Sequence, residues 1–181
     1  MLIDRRQSRL LVVDLQEKLM PAIHDGENLL NNCRWMVQVA NTMDVPVLAS
    51  EQYPKGLGPT VEPIRSLLRD EAFMEKHYFS CLSDDGCRST LLDKHYPQTV
   101  IIGTEAHVCV MQTALEMKES GQQVFVVEDC IGSRDPNNKH LAIERMRQAG
   151  ITLVSREMVA FEWLRRAKTH VFRYVNRTFI A

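Results

Sequence analysis

Apolar residues follow two rhythms along this chain. Short continuous runs mark strands buried on both faces: Leu10-Leu11-Val12-Val13, Val45-Pro46-Val47-Leu48-Ala49, Thr99-Val100-Ile101-Ile102-Gly103, Val124-Phe125-Val126-Val127 and Ile151-Thr152-Leu153-Val154. Between them, apolar positions recur at helical spacing. Glu27 to Met43 carries Leu29, Leu30, Cys33, Met36, Val37 and Ala40 in this way, and Asp84 to His95, Cys109 to Ser120 and Asn137 to Gln148 read as further helices. Gly121 closes the third of these. Thr60 to Leu68 reads as a short helix, and Ala72 to Phe79 as a short third strand ending near Lys76. Tyr53-Pro54-Lys55-Gly56-Leu57-Gly58-Pro59 is a loop by its glycines and prolines, and Phe161 to Phe179 is a C-terminal helical stretch, whole or broken.

Strands therefore alternate with helices. That pattern specifies an α/β fold, a three-layer α/β/α sandwich around a six-stranded parallel sheet of Rossmann-like type. The length of 181 residues suits a single domain over residues 1–181. No internal repeat, low-complexity segment or linker interrupts it.

Composition narrows the function. Hydrophobic residues make up 45% and charged residues 25%, and the net charge of -1 provides no overall field to attract nucleic acid or membrane. No apolar run approaches the roughly 20 residues that span a bilayer. The first residues lack the apolar core and cleavage site of a signal peptide. The five cysteines are odd in number and contain no Cys-x-x-Cys, which reads as reduced thiols in the cytoplasm.

Three side chains stand out by position. Asp14 ends the first strand, Lys76 falls at or near the end of the third, and Cys109 stands where the loop after the fourth strand turns into a helix. In a parallel sheet all three reach the carboxyl edge, where chemistry is sited. Taken singly, each has an ordinary reading: a packed thiol, a turn aspartate, a solvated lysine. Together they form a nucleophile with its partners. A helix N-terminus and a neighbouring ammonium are expected to lower the thiol pKa. Asp14 can take the thiol proton and pass it to a leaving group, and backbone N–H groups at the turn can hold an oxyanion.

Gly103-Thr104-Glu105-Ala106-His107-Val108-Cys109-Val110-Met111-Gln112-Thr113-Ala114 resembles the nucleophile segment of the isochorismatase-like cysteine hydrolases. Leu11-Val12-Val13-Asp14-Leu15-Gln16 resembles that family's opening strand, which ends in the catalytic Asp, and Glu75-Lys76-His77-Tyr78-Phe79-Ser80 its lysine segment. The motifs occur in the family's order over nearly the whole chain. The resemblance implies acyl transfer through a Cys109 thioester and a cis peptide at Thr104–Glu105 that aims the Glu105 and Cys109 N–H groups at the oxyanion. It also implies a homo-oligomer.

The nicotinamidase branch of the superfamily binds a metal through an Asp-x-His pair and a further His after the second strand. No histidine lies between His24 and His77 here, so neither a catalytic metal nor any other cofactor is expected. Ser50-Glu51-Gln52-Tyr53-Pro54-Lys55-Gly56-Leu57-Gly58 instead resembles the YcaC-type and isochorismatase-domain-containing branch, whose substrates are poorly defined. Gln52, Tyr53 and His107 are the candidate substrate-binding residues. The C-terminal Arg165, Arg166, Lys168, His170, Arg173 and Arg177 form a basic run that suits nucleic acid. The interleaved Val171, Phe172, Val175, Phe179 and Ile180 favour a helix docked on the body or on a second subunit. The expected partner is therefore a small-molecule substrate, with neither nucleic acid nor membrane. The rival reading is a binding or scaffold protein that keeps a hydrolase fold.

Overall fold

The computed structural model describes all 181 residues. Six strands, β1 (Ser8–Val13), β2 (Val47–Gln52), β3 (Phe73–Lys76), β4 (Gln98–Thr104), β5 (Gln123–Gly132) and β6 (Thr152–Val154), form one sheet. All pairings are parallel and the order is β3-β2-β1-β4-β5-β6. Eight helices connect and cover them: α1 (Gly26–Thr42), α2 (Pro54–Leu57), α3 (Glu62–Arg65), α4 (Asp85–Leu91), α5 (Met111–Glu119), α6 (Pro136–Gln148), α7 (Arg156–Leu164) and α8 (His170–Val175). No helix is long and apolar enough to cross a membrane.

The period-two geometry of a strand produces the two flanking layers. Leu10 and Val12 of β1 face a core shared with α1, α7 and α8, whereas Leu11 and Val13 face a second core with α4, α5 and α6. All six residues of β1 and all seven of β4 are buried, as two-sided central strands require. Helix starts are written locally. Asp135 and Ser155 cap α6 and α7 by accepting from Asn137 N and Met158 N, and Pro136 opens α6.

Two features hold the sheet at opposite ends. At the amino edge the buried Arg9 guanidinium donates to Thr90 O at 2.8 Å, Leu91 O at 2.5 Å and Tyr96 O at 3.0 Å. It thus satisfies carbonyls that α4 leaves open at its end. At the carboxyl edge Gly103 has φ +122°, and a Cβ there would lie 2.0 Å from Val13 O. Only glycine allows β4 to approach β1 this closely.

Several boundaries differ from the sequence reading. β2 starts after Pro46, which has no N–H for the ladder, and continues to Gln52 instead of stopping at Ala49. The Thr60–Leu68 helix shrinks to Glu62–Arg65, and Asp84–His95 to Asp85–Leu91. The chain coils before Cys109: Ala106–Val110 is one π-helical turn, with Val110 N donating to Glu105 O, and α5 begins only at Met111. The C-terminal stretch starts earlier, at Arg156 behind the Ser155 cap, and breaks where Arg165 and Lys168 take positive φ. Its second half docks on the body. Val175 is fully buried, and Trp35 Nε1 on α1 donates to Phe179 O at 2.7 Å.

Candidate active site

The strand order places the switch point between β1 and β4, where the connections leave in opposite directions. Asp14 follows β1 and Cys109 follows β4, so both stand at this point. The register brings in the third residue: Val13 is opposite both Ser50 and Gly103, and Gln52 is opposite Lys76. Asp14 and Thr104 thus lie one residue past the Val13 level and Gln52 and Lys76 two past it, all at the same edge of the sheet.

Lys76 and Asp14 are both completely buried and paired, with Nζ 2.8 Å from Oδ2. Ser50 Oγ donates to Asp14 Oδ1 at 2.7 Å. Thr104 Oγ1 donates to Asp14 O at 2.8 Å, which ties the β1 end to the nucleophile loop. Asp14 itself takes φ +48°, a conformation Asp tolerates better than most residues. The Lys76 ammonium also donates to Gln52 Oε1 at 2.7 Å, Phe79 O at 3.0 Å and Tyr78 O at 3.2 Å. No buried side-chain nitrogen or oxygen in the protein lacks a partner.

Cys109 sits against Asp14 and is 6% exposed. Burial, then the Asp14 charge, push its thiol far above the ordinary range, and Lys76 offsets them only in part. The sequence expectation of a lowered thiol pKa is therefore corrected. The thiol lies inside a π turn, buried, beside a carboxylate as well as an ammonium. Burial raises Asp14 above the usual carboxylate range, while Lys76, Ser50 and Cys109 pull it back. Burial opposes charge on Lys76, but Asp14 and Cys109 outweigh it and raise its pKa. The arrangement thus sets a thiol of raised pKa beside a carboxyl of raised basicity, with the Lys76 amine paired to that carboxyl.

The Thr104–Glu105 peptide bond is cis. The Glu105 N–H donates to no backbone or side-chain acceptor, leaving it available to an oxyanion. The Glu105 carboxylate is largely buried and held by Arg134: Oε2 accepts from Arg134 N at 3.1 Å and Oε1 pairs with Arg134 Nε at 2.9 Å. His107 Nδ1 meets Ser133 Oγ at 2.9 Å. Tyr53 packs its ring on Gly56, where a Cβ would lie 2.3 Å from it, and against His77 at 5.9 Å between ring centroids. Gln52 was expected to meet substrate, but its amide is spent within the protein, on Lys76 and, from Nε2, on His77 O at 2.8 Å.

Other residues of the site were not singled out from sequence. Ser50 and the fully buried Gln16 anchor Asp14 and the β2 loop. Cys81 is a second buried thiol in the field of Lys76 and Asp14, its N–H donating to Thr113 Oγ1 at 3.0 Å. Glu51 is the last residue but one of β2. Its Oε1 accepts from Thr60 N, Thr60 Oγ1 and Arg65 NH1 at 2.7, 2.8 and 3.3 Å. No three His, Cys, Asp or Glu side chains converge in an arrangement able to hold a metal ion. A groove of about 840 Å³ lined by Asn41, Val45, Leu48, Leu67 and Ala72 lies at the opposite edge of the sheet and includes none of these residues.

An all-parallel sheet with a thiol, a carboxylate and an ammonium gathered at its switch point defines an α/β protein built around a buried cysteine. The chain belongs to the isochorismatase family: the Isochorismatase domain profile matches residues 8–158. Isochorismatase domain-containing protein 2 of Danio rerio is 34% identical over 94% of this chain and 85% of its own. The structure described as MAR1 ribonuclease from Caenorhabditis elegans is 31% identical, with a TM-score of 0.92 over 100% of this chain and 93% of that one. The Escherichia coli YcaC gene product, described as an octameric hydrolase of unknown specificity, is 25% identical, with a TM-score of 0.87 over 91% and 83%. Family membership makes this chain an isochorismatase-like hydrolase.

Proposed function

We propose that the chain is a metal-independent cysteine hydrolase acting on a small amide, or less favourably an ester, through a thioester on Cys109. The observation that carries this reading is the fully buried Lys76–Asp14 pair, 2.8 Å long, set against the Cys109 thiol at the switch point. Burying an ion pair is costly, and the strongest reason to keep one beside a thiol is proton transfer.

In this reading Asp14 removes the thiol proton as Sγ attacks the substrate carbonyl carbon. The Glu105 N–H, with the Cys109 N–H, receives the oxyanion. The C–N bond breaks as Asp14 returns its proton to the departing amine. Asp14 then takes a proton from water, whose oxygen attacks the thioester. The S–C bond breaks, the acid leaves and the proton returns to Sγ. Lys76 keeps Asp14 oriented and stabilises the thiolate as it forms. Tyr53 and His107 border this site, residues 1–181 act as one domain, and the working form is a homo-oligomer, as in the octameric YcaC relative.

A screen of small amides and esters tests the proposal, using chelator-treated protein and Cys109→Ser. Turnover that survives chelation and disappears in the variant supports it. Turnover retained by the variant, or lost on chelation, overturns it. The description of the Caenorhabditis elegans relative brings a second reading, RNA cleavage. The site favours it less, because its one buried cation is already committed to Asp14 and three carbonyl-type acceptors. Release of short fragments from a labelled RNA, lost in Cys109→Ser, would establish that reading instead.

A further inference from the structure

Lys76 ends β3, an edge strand only four residues long, yet its ammonium is completely buried and has to be held in one place. A lysine has four rotatable bonds and a strongly hydrated head, so one contact does not fix it. Three of its acceptors are easily explained: Asp14, and the Tyr78 and Phe79 carbonyls of the turn that follows. The fourth comes from the neighbouring strand and gives one of the two shortest contacts: Gln52 Oε1 at 2.7 Å.

Gln52 is itself clamped. Its N–H donates to Gln16 Oε1 at 2.7 Å, and its carbonyl accepts from Gln16 Nε2 at 3.0 Å. The same Gln16 Nε2 reaches Gly58 O at 2.7 Å. The far end of the Gln52 amide donates to His77 O at 2.8 Å, which settles which way the amide points, with oxygen toward Lys76. Gln16 follows Asp14 by two residues and is completely buried. The contacts therefore close a ring through the protein: Asp14, the chain to Gln16, Gln52, Lys76, and back to Asp14. An amide is suited to this position. A carboxylate there would compete with Asp14 for the ammonium, and an apolar group would leave the ammonium to Asp14 alone.

Resting on the hydrolase reading above, we infer that Gln52 is a positioning residue: held by Gln16, it shares the Lys76 ammonium with Asp14 and so sets how readily Asp14 accepts the Cys109 proton. It acts through Lys76 and does not touch the reacting atoms. The other titratable groups around the ring are Cys109 and Cys81, which face Lys76 from the nucleophile turn and from the loop after β3. Glu51 and Asp84 stand nearby but are engaged by Thr60 with Arg65, and by the His77 and Gly86 N–H groups. The His77 ring lies against Tyr53.

The test is the rate of Cys109 alkylation by iodoacetamide across pH 5 to 10, followed by peptide mapping, in wild type, Gln52→Glu, Gln52→Leu and Asp14→Asn. It needs no substrate. The acid limb reports proton acceptance by Asp14. In Gln52→Glu the ammonium is divided between two carboxylates, so the limb moves to higher pH by about one unit. In Gln52→Leu it moves the other way. Thermal denaturation run alongside identifies any variant that fails to fold, and the isosteric Gln52→Glu keeps the experiment decisive if Gln52→Leu does. A merely structural role would lower the rate at every pH equally and leave the limb in place, which overturns the inference. If Asp14→Asn also leaves the profile unmoved, the hydrolase reading fails. If Asp14→Asn moves it and both Gln52 variants do not, only the positioning role fails.

Discussion

Replacing Lys76 by Met keeps the length and removes the charge, and the structure makes the consequence specific. Asp14 is left as an uncompensated carboxylate with no exposure, and Gln52 Oε1, Tyr78 O and Phe79 O lose their shared donor. Breaking a buried pair from one side costs about 3–5 kcal/mol. The orphaned acceptors add to this less than additively, so a loss of about 4 kcal/mol at pH 8 is expected. The pH dependence follows from the carboxyl. Asp14 is already raised by burial, and losing Lys76, which lowers it, raises it further. A carboxyl whose folded pKa lies above its unfolded value of 3.8 binds its proton longer in the folded state. Stability therefore falls as pH rises between those two values, by about 1.4 kcal/mol per unit, and levels off above the folded pKa. The variant is accordingly closest to wild type in acid. Urea denaturation at pH 5 and pH 8 measures both effects. The Asp14→Asn/Lys76→Met double variant, which buries no charge, should recover at least half of the loss at pH 8. A Lys76→Met protein as stable as wild type at pH 8, or a loss independent of pH, would refute the reasoning.

Three further outcomes follow. Asp14→Asn removes the group that accepts the Cys109 proton, so the acid limb of Cys109 alkylation should move and hydrolysis should collapse by about 10²-fold or more, roughly the range of a lost general base; an unmoved alkylation profile with hydrolysis retained would contradict the role of Asp14. Arg9→Met should lower stability by about 3 kcal/mol in urea, because buried carbonyls at the end of α4 lose their donor, with activity per folded molecule unchanged. Gly103→Ala should cost about 3 kcal/mol or more and reduce soluble yield, since the added Cβ would meet the Val13 carbonyl and prise β4 from the strand that carries Asp14; a variant with wild-type melting would show that β1 and β4 are not so close.

Much of this site is legible in sequence because a parallel sheet delivers strand ends to one edge. Asp14 closes an uninterrupted apolar run and Cys109 follows the clearest central strand, so their meeting needs only alternation of strands and helices. Lys76 is legible for the same reason, although β3 is short. Gln16, Ser50 and Thr113 are not, because their roles are contacts between segments 30 or more residues apart, and a buried polar residue looks like any other until its partner is known. Ser50 does carry a faint signal, a small polar residue just after the apolar run of the second strand. The direction of the Cys109 shift was misread for a related reason. Helix ends and lysines are visible along the chain, whereas burial and the facing carboxylate belong to the fold. The π turn was hidden because its five residues, Ala106–Val110, continue the apolar pattern of the following helix.

The central claim is that Cys109 carries the acyl group of the substrate. Rapid acid quenching during turnover of an amide or ester found in the screen, followed by intact-mass measurement and peptide mapping, tests this directly. The account predicts an adduct with the mass of the acyl group on Cys109 alone, absent from Cys33, Cys81, Cys87 and Cys130 and accumulating most with good leaving groups. Steady turnover with no acyl adduct on Cys109 at any quench time, or an adduct on another residue, would contradict it.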